Sequence, residues 1–157
     1  MYVDNNLVVS GAVSALGVLS GQAVTGTSTS VLSTNTIDLL QARDIGEGSD
    51  RPKLRAELLT AMTGGGTLEI QAIQADDAAL SSNVSVIGSS GAIPSGSLIA
   101  GARFAVELSP RIGSKGQRYL GVRYVIVNTI SSGSVFADYG VEYQDGQKFY
   151  PGGFSIA

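Results

Sequence analysis

The chain contains no cysteine, no histidine and no tryptophan. Without cysteine and histidine it has no disulfides, thiol nucleophiles, Cys/His zinc sites or histidine-based catalytic triads. Charge is scarce: Asp, Glu, Lys and Arg make up 15% of the residues, against roughly 25% in an ordinary soluble domain. The net charge is −3, and the first basic residue is Arg43. Nucleic-acid binding ordinarily shows a clustered basic face. None is visible, so no nucleic-acid partner is expected. No stretch approaches the roughly 18 apolar residues of a membrane span. The N-terminus, "MYVDNN", places an acid where a signal peptide carries positive charge. Neither a membrane partner nor an export signal is expected.

What is present points to a packed β domain. Hydrophobic residues make up 43% of the 157 positions, enough for one domain with a core. With few charges, much of the surface must be Gly, Ser, Thr, Ala, Asn and Gln. Such a surface suits burial against other subunits better than a free monomer. Residues 10–36, "SGAVSALGVLSGQAVTGTSTSVLSTNT", are small and uncharged. They fit a flexible leader or an extended arm lying on another surface. Val13, Leu16, Val18, Leu19 and Val24 carry more apolar bulk than a free linker and favour the arm.

Strands are expected at 31–40, 67–75, 84–89, 102–108, 118–129 and 134–143, from alternation, β-branching and bounding turn residues. "KLRAELLTAM" (53–62) carries both periods: Leu54, Ala56, Leu58, Thr60 and Met62 share a strand face, while Leu54, Leu58, Leu59, Ala61 and Met62 form a helical stripe. Local propensity favours helix. The all-β surroundings favour strand, and a strand is expected. "TGGGT" (63–67) is a turn whose glycines permit positive φ. About seven to eight short strands separated by Gly/Pro turns predict an all-β, jelly-roll-like β-sandwich with an extended N-terminal arm. The domain organisation expected is an arm or leading strand at 1–32, a sandwich at 33–143 and a tail at 144–157.

No catalytic motif emerges. "GSSGA" (88–92) lacks the last glycine of a nucleophile elbow, and "GSKG" (113–116) is an exposed turn rather than a phosphate loop. "DIGEGSD" offers Asp44, Glu47 and Asp50, but glycine occupies alternate positions where a calcium loop needs oxygens. Asp76 and Asp77 fit loop solvation or capping better than an acid/base pair. "NVS" (83–85) matches a glycosylation sequon but has no secretory context. No enzyme activity, cofactor or metal is expected.

"RYLGVRYVIVNT" (118–129) is apolar on both faces of a strand. Tyr119, Gly121, Arg123, Val125 and Val127 share one face, and Leu120, Val122, Tyr124, Ile126 and Asn128 the other. A half-solvated sheet would alternate apolar with polar, so something must cover the second face: a neighbouring chain or a bulky loop. Arg123 either lays its stem over apolar surface near solvent or bridges to an acid of another subunit, with Asp138 and Glu107 as candidates. Tyr119, Tyr124, Tyr139 and Tyr143 are commoner in β cores and interfaces than in stacking platforms. The interface residues expected are therefore Leu16, Val18 and Leu19 on the arm, and Tyr119, Arg123 and Tyr124 on the strand.

Five phrases in order, "STNTIDL" (33–39), "ARDIGEG" (42–48), "DDAALSS" (76–82), "SGAIPSGSLIAGARFAVEL" (90–108) and "RYLGVRYVIVN" (118–128), resemble the capsid cement (decoration) proteins of tailed bacteriophages. The resemblance implies a non-enzymatic β-sandwich. It would sit as a homotrimer on the outer surface of the mature head and clamp neighbouring major capsid protein subunits. The protein would be made in the host cytoplasm and end in the virion. An alternative is a virion accessory β-sandwich that binds glycans as a tail or fibre component. The composition suits a cement: weak contacts spread over an apolar surface gain strength when three copies are linked.

Overall fold

The computed structural model describes residues 4–40, 52–108 and 117–140. Fourteen strands form among the described residues. In chain order they are β1 (Val8–Ser10), β2 (Ala12–Val13), β3 (Leu19–Ser20), β4 (Gln22–Ala23), β5 (Gly26–Thr27), β6 (Ser30–Leu32) and β7 (Ile37–Asp38). They continue with β8 (Lys53–Thr63), β9 (Thr67–Ala75), β10 (Ser85–Ile93), β11 (Arg103–Glu107), β12 (Tyr119–Val127), β13 (Thr129–Ile130) and β14 (Ser132–Gly140). Helix is confined, among these residues, to 3-10 turns at Asn5–Leu7 and Ser95–Ser97.

Two antiparallel sheets form the body. One has the order β1-β14-β8-β11, with β4 also on β14; the other has the order β10-β9-β12-β6, with β7 also on β12. Their inner faces share one core. Leu54, Ala56 and Leu58 of β8 and Val135, Ala137 and Tyr139 of β14 meet Leu68, Ile70 and Ala72 of β9 and Val122, Tyr124 and Ile126 of β12. The fold is an all-β sandwich. The stretch 53–62 is strand because β8 pairs on both sides, with β14 and β11. Those ladders satisfy its backbone and override the local helical preference.

The glycine turn carries the chain from one sheet to the other. Gly64 and Gly65 take φ of 107° and 78°. A Cβ on Gly64 would stand 2.6 Å from the Thr129 carbonyl oxygen, and Gly66 N donates to that same oxygen at 2.9 Å. Both reasons for glycine, positive φ and close backbone approach, meet at Gly64.

Residues 8–32 are extended, and the surface they lie on is this chain's own. β1 and β4 join β14, β5 pairs with β13, and β6 pairs with β12. Val8, Val9 and Val24 are buried. At about 1.5–3 kcal/mol for each buried valine, removing this segment would cost a large part of a domain's stability. It is part of the fold rather than a detachable tether. The single strand expected at 31–40 is instead two, β6 and β7. Between them Ser33 breaks the ladder while holding to β12: its N donates to the Val122 carbonyl at 2.8 Å, and its Oγ accepts from Val122 N at 3.0 Å. Side-chain bonds then stitch this sheet to β1 and β4. Gln22 Nε2 donates to the Leu32 carbonyl at 2.6 Å, and Tyr124 Oη donates to Ser10 Oγ at 2.7 Å.

Candidate interaction surface

Strands β2 and β3 form a hairpin in register Ala12↔Ser20 and Val13↔Leu19. Its turn is closed by Ser14 N to the Val18 carbonyl, Gly17 N to the Ser14 carbonyl, both 2.9 Å, and Val18 N to Ser14 Oγ at 3.1 Å. Gly17 sits at φ 75° in open space. The turn is thus bonded from within, and it holds Leu16 91% and Val18 63% exposed. Leu19 is half-buried. An apolar side chain on so well-tied a turn gains nothing from the fold itself.

The outer face of β12 is covered in part by the chain itself. Ile73, Ala75 and Leu80 form a second apolar cluster, with Val84 and Tyr119 packed on it. Leu80, at φ 55°, lies over Gly121, where a larger residue would strike it. The loop at 76–84 is held by Asp77, whose carboxylate accepts from Ser81 N at 2.9 Å, Ser81 Oγ at 2.7 Å and Ser82 N at 2.8 Å. These bonds hold the Asp77 carboxyl below the usual carboxylate range. Asp76 instead accepts from Asn83 Nδ2 at 3.1 Å, so the two acids do not share a site. Beyond Gly121 the cover ends: Val125 is half-buried and Val127 is 53% exposed.

The expected interface residues on β12 therefore divide. Tyr124 is corrected: it points into the sandwich and is fully buried by its own chain, so no partner can touch it. Burial pushes its phenol well above the usual value, against the hydrogen bond to Ser10. Tyr119 is half-buried, with the Arg118 guanidinium 5.2 Å from its ring centroid. Arg123 is half-buried on the outer face. Neither acid considered for it is available. Asp138 is bound by Arg55 on the other sheet, and Glu107 lies 3.6 Å from Lys53. Arg123 Nε donates instead to Gln71 Oε1 at 2.8 Å. Gln71 Nε2 donates to Glu69 Oε1 at 2.7 Å, and Ser89 Oγ donates to the same oxygen at 2.6 Å. A polar ladder thus crosses β12, β9 and β10.

Three features were not legible in the sequence. The buried Arg55–Asp138 pair left no trace, because alternation cannot say that a polar outer position is covered. The exposed Val86 sits in a stretch expected as strand, and the exposed Ile99 in the stretch between two expected strands. The open depression of ≈ 610 Å³ beside Arg123, floored by Val125 and Val127 and rimmed by Ser28, Thr29 and Ser30, joins segments nearly a hundred residues apart. Two loops considered in the sequence, "DIGEGSD" and "GSKG", lie outside the described residues. Among the described residues no cluster of His, Cys, Asp or Glu could hold a metal ion, and no helix is long and apolar enough to cross a membrane.

Residues 18–138 match the family model named Bbp16, which spans β3 through most of β14. No curated protein matches the chain.

Proposed function

This chain belongs to the Bbp16 family, and we propose that it is a non-enzymatic cement protein of a bacteriophage head. In this role it binds the outer surface of the mature capsid as a homotrimer and clamps neighbouring major capsid protein subunits. The observation that carries the proposal is the internally bonded β2–β3 hairpin that holds Leu16 and Val18 in solvent. Such a tip suits contact with another molecule, and the chain's low charge content suits the same end. The ordered resemblance to cement proteins over about residues 33–143 supports the same role.

The test is co-sedimentation of the purified protein with mature and with immature heads, counting copies bound per coat subunit. Light scattering on the free protein gives its mass. Saturable binding to mature heads alone, by a species of three chains, is expected. A monomer that binds neither form of head would overturn the proposal.

A further inference from the structure

Five cationic side chains fall among the described residues, and four have a carboxylate within ion-pair reach. Lys53 has Glu107, Arg55 has Asp138, Arg103 has Glu57 and Arg118 has Asp38. Arg123 is the exception: its one hydrogen bond among the described residues runs from Nε to Gln71 Oε1. Gln71 is itself fixed by its bond to Glu69, so the guanidinium is oriented from behind. Both terminal nitrogens are left to act as an end-on fork. They border the depression with the Ser28 and Ser30 rim and the Val125 floor. That rim is tied down by Ser28 N to the Asn128 carbonyl and Ile126 N to the Thr29 carbonyl, each 2.8 Å. Among the described residues this half-buried guanidinium has no carboxylate in direct ion-pair contact; Glu69 acts on it across Gln71, so the pair is incomplete.

We propose that this depression receives a carboxylate side chain from an acidic segment of a protein partner, bound end-on by Arg123 and flanked by the hydroxyls of Ser28 and Ser30. Two features choose this occupant. The depression is open on one side and cannot enclose most of a small molecule's surface, as a metabolite site must. It also offers a single positive charge, with Glu69 on the next strand, so it suits a monoanion better than a phosphate dianion. Val125 and Val127, which line the same depression, would take the partner's aliphatic stem. Any acidic partner could use this site, so its test stands apart from that of the capsid role.

The experiment is an NMR titration of the full-length, ¹⁵N-labelled chain with acetyl-Gly-Glu-Gly-amide. Acetyl-Gly-Gln-Gly-amide and inorganic phosphate serve as comparison arms. The Arg123 side-chain Nε–H resonance and the Ser28–Ser30 amides are expected to shift saturably with the Glu peptide. The dissociation constant should be about a millimolar, the scale of one exposed charge-assisted contact. The Gln peptide should leave both sets unmoved, and Arg123→Gln should abolish the amide shifts. Absence of saturation, equal shifts with the Gln peptide, tighter binding of phosphate, or amide shifts that survive in Arg123→Gln would each overturn the proposal. The wild-type Arg123 resonance decides the matter even if the variant fails to fold.

Discussion

Arg55 and Asp138 face each other across β8 and β14 on the sheet face turned away from the core, and both are buried. Arg55 Nε donates to Asp138 Oδ1 at 2.9 Å, and Nη2 donates to Oδ2, a bidentate fork. Gly140 leaves room for the guanidinium, since any Cβ there would meet it. Such a pair adds little net stability but is costly to break from one side. Arg55→Met is expected to cost about 3–5 kcal/mol in urea unfolding, with much of that recovered in the double variant Arg55→Met, Asp138→Leu. Glu69 carries a second residue-scale prediction. Hydrogen bonds from Ser89 and Gln71, aided by the charge of Arg123, hold its carboxyl below the usual range. Folding therefore favours the deprotonated form. Its contribution is present above the ordinary value of about 4.3 and is lost as pH falls through the lower folded value. Melting temperature is expected to drop on acidification below that point. Glu69→Gln should flatten this part of the profile by lowering the melting temperature on the neutral side while leaving the acid side nearly unchanged. Neither device was legible beforehand. Leu54-Arg55-Ala56 and Ala137-Asp138-Tyr139 have the alternation of strands with one wet face, and only the folded chain shows what covers that face.

At the scale of elements, the legible features were those a segment satisfies by itself. The alternation at the start of β9 and along β11 and the breaker at 64–66 are local properties, and the structure has them. The turn separates two costs that the sequence could only lump together. Gly65 needs positive φ but has open space around it, whereas Gly64 needs positive φ and also abuts Thr129. Gly65→Val is expected to cost about 1–2 kcal/mol for the left-handed backbone. Gly64→Val should cost about 1–3 kcal/mol more for the displaced carbonyl. Equal melts for the two variants would refute the role of the Thr129 contact. The choice between helix and strand at 53–62 turned on partners rather than propensity: a lone peptide of these residues has no β11 or β14 to pair with. The same holds for residues 8–32, whose two- and three-residue strands exist only because longer strands offer edges to bind them.

For the whole molecule, the exposed apolar residues are the informative surface. Leu16 and Val18 stand at the hairpin tip, and Val127 borders the Arg123 depression. A single such contact is weak once association costs are counted. Three linked copies would turn it into avidity, so the trimer and the small tip are one design in the proposed role. Leu16→Asp with Val18→Asp should leave unfolding within about 0.5 kcal/mol of wild type, because both side chains are already in water. It should weaken binding to mature heads at least about tenfold, since each loss is repeated in every linked copy. Undiminished binding would show that the hairpin is not the contact.

By itself the sequence determined the class of the fold and the kinds of chemistry that are missing, because periodicity, turn residues and absent side chains are properties of the chain alone. It also marked Leu16 and Val18 as apolar bulk that a free linker does not need. Only the tertiary structure decided where that bulk ends up. Val24 is buried and Leu16 is exposed, although both lie in the same bland segment. Tyr124 and Arg123 are neighbours on one strand, yet one is in the core and the other faces out without a counter-ion among the described residues. Exposure and pairing depend on residues distant in the chain, and alternation reveals a strand's two faces without saying which one the rest of the protein will cover.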